Sequence, residues 1–122
     1  MAPYGPSRSG MATEPDPDST VKHEEVARRL TEWEKKAREW HRDLVHANSA
    51  QRWEQVRGRM LAETSGSGPP VHIEPEVAAL RTALKAAVLD RSQVRAALQR
   101  LGKRAGDGAA LERARATQEA GR

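Results

Sequence analysis

The side chains that could carry chemistry are few, and the histidines His23, His41, His46 and His72 come first. Metal and acid–base sites on helices bring such residues together at spacings of three or four. His41 and His46 lie five apart and so point to different helix faces. There is no His-Glu-x-x-His motif, and no serine stands with a histidine in a nucleophile setting. Cysteine is absent, which removes thiolate ligands, thiol nucleophiles and disulfides together. Ser65-Gly66-Ser67-Gly68 has the glycine content of a phosphate loop but lacks its strand, spacing and lysine, and reads as a linker. These residues assign no catalytic, cofactor-binding or metal site. The expectation is a non-enzymatic protein with no cofactor and no evident small-molecule substrate.

Charge and aromatics supply the other candidates. The net charge of +4 is uneven: residues 1–90 carry 13 basic and 14 acidic side chains, whereas 91–122 carry eight basic and three acidic. Arg91, Arg95, Arg100, Lys103, Arg104, Arg113 and Arg115 could therefore follow a phosphate backbone without reading bases. A high-GC genome would also enrich arginine, so the bias does not by itself identify a ligand. Trp33, Trp40 and Trp53 are the only tryptophans. The first two fall on an apolar seam, and Trp53, off that seam beside Arg52 and Arg57, is the candidate anchor for a partner.

The elements that must position these residues are helical. Leucine, isoleucine, valine and phenylalanine number only 18 of 122 residues, while 20 are alanine, so little bulk is available for a core. With one isoleucine, one tyrosine and no phenylalanine, strands are poorly supported and an all-α class follows. Residues 1–19 hold four of the seven prolines and are expected to be a disordered leader, with Met11 an alternative start to Met1. From about 20 to 62, Val26, Leu30, Trp33, Ala37, Trp40, Leu44 and Ala47 recur at alternating spacings of four and three, the signature of one narrow helix seam. The stripe then shifts to Trp53, Val56 and Met60, which predicts either a kink or break near Asn48-Ser49, the favoured reading, or one continuous helix that touches different partners along its length. Glu24, Glu25, Glu32 and Glu34 each precede a base by four residues and suit a solvated face.

Residues 63–74, with Thr64 to Pro70 as TSGSGPP, read as a linker, extended through Val71-His72-Ile73. Pro75 is placed to open a second helix, about 75–101, whose seam is Val77, Leu80, Leu84, Ala87, Arg91, Val94, Leu98 and Leu101. Gly102 is expected as its C-terminal cap and Gly106-Asp107-Gly108 as a turn, leaving 103–122 as a basic tail with a short, marginal helix. A helix-turn-helix in Ser92 to Thr117 fits badly, because the turn is long and the second helix offers mainly Leu111.

The two seams together predict an elongated, coiled-coil-like antiparallel helical hairpin over 20–102, with contacts through Leu30, Trp33, Trp40, Leu44, Leu80, Leu84, Val94, Leu98 and Leu101. Two helices alone bury too little, so a homodimer or a protein partner is expected, with Arg91 in the seam either fixing register or snorkelling out of it. No stretch approaches the roughly 18 apolar residues of a membrane span, and a cytoplasmic location is expected. The functional expectation is an interaction protein that self-associates or docks through its seams. The alternative is a nucleic-acid-associated accessory or regulatory protein, of the kind borne by a plasmid, phage or transposon, that uses its basic C-terminal third.

Overall fold

The computed structural model describes residues 17–66 and 68–121. Among them are four α-helices and no strand: α1 (Pro17–His46), α2 (Ala50–Glu63), α3 (Glu74–Lys85) and α4 (Arg91–Ala120), with one 3-10 turn at Val71–Ile73 before α3. Pro17 opens α1, a position where its fixed φ and missing N–H carry no penalty. Helix therefore begins within what the composition marked as leader; the rest of that leader, both candidate start methionines included, lies outside the described residues.

α1 ends at His46, and Ser49 caps α2 by accepting a hydrogen bond from the Arg52 amide at 3.1 Å. This restart resets the helical phase, so Trp53, Val56 and Met60 form the buried face of α2. Trp53 is only 7% exposed and belongs to the core, which corrects its expected role as a surface anchor.

The second half departs further from expectation. The helix predicted over 75–101 is two helices, because Asp90 caps α4, its carboxylate accepting from the amides of Ser92 and Gln93. The 3/4 periodicity ran through Ala87 and Arg91, the two members of the stripe without a large apolar side chain, and so masked the break. Conversely, Gly102 is no cap and Gly106-Asp107-Gly108 no turn: α4 runs through all of them for 30 residues. Tertiary packing overrides the propensity loss of about 1 kcal/mol per glycine. At Gly108 a Cβ would stand 3.1 Å from Leu30 Cδ1 and 3.3 Å from His72 Cβ, so the absent side chain is what lets α1 and the 3-10 turn close on α4. His72 lies in that turn rather than in an extended segment.

The helices alternate in direction. His23 meets Glu112 while Arg91 meets the carbonyls of Leu44 and Ala47, so α1 and α4 are antiparallel along their length. Asp43 pairs with Arg59 and Lys36 with Glu63, setting α2 against α1. Arg57 reaches Leu84 O and Arg81 reaches Leu61 O, setting α3 against α2. One core results, holding Leu30, Trp40 and Leu44 of α1 with Leu80 and Leu84 of α3 and Val94, Leu98 and Leu101 of α4, and Trp33 packs on its edge. Seven of its buried members are alanines: Ala27, Ala37, Ala47, Ala97, Ala105, Ala109 and Ala116. The alanine that made the chain look poor in core material is the material with which α1 and α4 approach closely. Both seams are consumed within one chain, so a second copy is not needed to cover them.

Arginine has a structural use here. Arg91 donates to Leu44 O and Ala47 O at the end of α1 and stacks over the Trp53 ring at 5.2 Å. Arg81 donates to Leu61 O and to Thr64 Oγ1, itself bonded to Met60 O, at the end of α2. Arg57 donates through Nε to Leu84 O at the end of α3. Each of these C-termini is thus met by a guanidinium from another helix, where orphan carbonyls and the dipole favour a cation with several donors. Arg91 leaves the seam to do this, the snorkelling alternative.

Candidate functional site

Two places gather the polar residues of interest. The first is inside. Because α4 does not stop at Gly102, Glu112 falls two heptads after Leu98 and is carried into the core, with its side chain 4% exposed. His23 of α1 meets one carboxylate oxygen through Nδ1 at 2.5 Å, and His72 of the 3-10 turn meets the other through Nε2 at 2.8 Å. Arg115 approaches at 3.2 Å, and Glu119 lies 3.7 Å from the other nitrogen of His23. Burial pushes the Glu112 carboxyl up, but hydrogen bonds and charge from His23 and His72 outweigh it and hold the group below its ordinary value of 4.5.

Chemically this is a three-way tether joining α1, α4 and the turn. Each imidazole faces its own carboxylate oxygen, and among the described residues no group of three or more acidic or histidine side chains is arranged to hold a metal. The sequence missed it because 23, 72 and 112 are remote along the chain and because Glu112 sits beyond a presumed helix end. Its heptad register with Leu98 and Ala105 was the available signal.

The second place is the surface of the α1–α4 pair that α2 and α3 leave uncovered. A groove of ≈ 420 Å³ is lined by α1 and α4 alone, among them Ala37, Arg38, His41, Arg42, Gln99 and Lys103. His41 Nε2 is enclosed there without a hydrogen-bond partner among the described residues. A separate, smaller groove of ≈ 340 Å³ lies further along the pair, lined by Val45, Arg91 and Arg95 among others. Towards the other end, Thr20, Ala27, Thr31, Arg113 and Ala116 line a further groove of ≈ 630 Å³.

The seven basic residues singled out from the sequence divide in two. Arg91 caps α1, Arg104 donates to His72 O, Arg113 to Thr31 Oγ1, and Arg115 to Glu112, so these four have internal acceptors. Arg95, Arg100 and Lys103 are exposed and have no hydrogen bond or ion pair among the described residues. The predicted solvated pairs are also rearranged: Glu34 does hold Arg38, but Arg28 bonds Glu25 and Glu32, Lys36 turns to Glu63, and Arg29 to Gly68 O. Among the described residues no helix is long and apolar enough to cross a membrane. Compared with known proteins, the chain matches no family model, no curated protein and no solved structure.

Proposed function

We propose that this chain is a cytoplasmic, non-enzymatic helical interaction protein that docks a protein partner on the uncovered face of its α1–α4 pair. One observation carries the reading. The apolar seams that suggested self-association are buried in a single chain, while the outer side of the α1–α4 pair keeps grooves beside Arg95 and Lys103, two exposed cations with no acceptor among the described residues. The Glu112 tether serves this face by fixing the register of α1 on α4.

The test is a photoreactive residue at Gln99, inside the groove, compared with one at Val88, which is 86% exposed in the turn before α4. Discrete cross-links in the native cell from the first position and not the second support the reading, and equal or absent cross-links refute it. Light scattering on the whole chain tests self-association separately.

A second reading has its own observation. Arg95, Arg100 and Lys103 are the kind of unpaired cations that neutralise phosphates, which favours nucleic-acid contact through α4. DNA and RNA binding that falls steeply between low and moderate salt supports it. Binding unchanged in the full-length Arg95→Glu/Arg100→Glu/Lys103→Glu variant, with unchanged circular dichroism, removes α4 from consideration.

A further inference from the structure

Building on the α1–α4 docking reading, we propose that the two neighbouring grooves of this pair, one lined by Arg38, Arg42 and Lys103 and the next by Arg95, receive an acidic amphipathic helix of the partner, lying lengthwise with its carboxylates on the rims and its apolar residues on the floor. The floor comes from close helix approach. A Cβ on Gly102 would stand 3.6 Å from Ala37 Cβ, so nothing bulky fills the cleft between the two backbones. Val45, 52% exposed, extends this apolar strip into the adjoining groove.

The rims are cationic, and two of the four cations are unspent: Arg38 bonds Glu34 and Arg42 Nε lies 4.0 Å from Asp43 Oδ1. Among the described residues the one carboxylate lining the two grooves is Glu34, held by Arg38 at 2.7 Å. Arg95 and Lys103 have no acceptor among the described residues. The groove at the other end differs: Arg28 is bonded by Glu25 and Glu32, and Arg113 by Thr31, so charge selects this end of the face.

Spacing suits a helix. Arg38 and Arg42 are one turn apart, about 6 Å, and Arg95 and Lys103 two turns, about 12 Å. Glutamates at i, i+4 and i+8 along a partner helix rise by the same steps. A nucleic-acid strand would use the cations but not the apolar floor. It would also find no tryptophan to stack on, because Trp40 and Trp53 are 2% and 7% exposed and Trp33 packs against the core.

The probe is a fluorescent helical peptide of about 18 residues, long enough to hold a helix, with alanine and leucine on one face and glutamate on both edges. A lysine-for-glutamate version is the control, and single-stranded and duplex oligonucleotides are competitors. With the full-length chain, anisotropy should report binding of the acidic peptide and not of the basic one. The double variant Arg95→Glu/Lys103→Glu, with unchanged circular dichroism, should weaken binding by about tenfold or more.

Equal binding of both peptides, no binding of the acidic one, or indifference to the charge reversal overturns the proposal. So does an oligonucleotide that displaces the peptide and binds more tightly. If Gln99 still cross-links a partner while the acidic peptide fails, the face remains a docking surface and only the acidic-helix assignment falls; if both fail, both fall.

Discussion

Replacing Glu112 with glutamine keeps the shape of the buried tether and removes its charge. In the native chain the carboxylate accepts from His23 and His72, with Arg115 alongside, at 4% exposure. Hydrogen bonds to a charged group contribute about 1.5–3 kcal/mol each. The amide keeps one acceptor and turns its NH2 towards the second imidazole, so the expected net loss is about 2 kcal/mol at neutral pH. For a domain of this size, with an unfolding entropy of about 2.1 cal/mol/K per residue, that lowers Tm by about 8–9 °C. The pH dependence has a definite sign. The folded carboxyl titrates below its unfolded value of 4.5, so its contribution is complete above that value and is lost as the pH falls through the lower, folded one. Wild type and Glu112→Gln should therefore differ at neutral pH and converge in acid, as followed by circular dichroism on heating. Equal melting at neutral pH, or a gap that persists below the carboxylate range, would refute the tether.

Further outcomes follow from the packing. Gly58 is exposed in mid-α2 with nothing within 4 Å of an added Cβ, so Gly58→Ala should stabilise by about 0.5–1 kcal/mol in urea unfolding. Gly108→Leu should instead cost about 1–3 kcal/mol or more, because its side chain would enter space held by Leu30 and His72. Arg91→Ala removes both bonds to the end of α1 and the cation over Trp53, and should cost about 1–2 kcal/mol and shift tryptophan emission. Leu84→Asp places a carboxylate at a site of 0% exposure and should abolish the helical circular dichroism of the folded chain.

The features legible in the sequence were those encoded within about two helical turns. The seam through Leu30, Trp40 and Leu44, the phase shift that announces the Ser49 restart, and the TSGSGPP loop all follow from local spacing and turn chemistry. The break before Asp90 was hidden because a heptad pattern continued through Ala87 and Arg91, although the aspartate cap was there to be seen. The continuity of α4 was hidden for the opposite reason. Three glycines signalled an end, and what they supply is room: Ala37 lies beside Gly102, Glu34 beside Gly106, and Leu30 and His72 beside Gly108.

The candidate sites depended on that continuity. With α4 cut at Gly102, Arg113 and Arg115 belonged to a loose tail, and Glu112 had no reason to meet a histidine. With α4 whole, the tail becomes half of the longest helix pair, and several cations assigned to a ligand become ties between helices.

The amino-acid sequence alone determined that this chain is helical, where two of its seams lie and that it has no cysteine, because composition and periodicity act locally on each segment. Only the tertiary structure decided that the seams close on one another, that alanine and glycine are the contact surface of α1 and α4, and that Glu112, His23 and His72 form one cluster. Those outcomes depend on how near two backbones can approach, and that distance is set by both helices together and written in neither.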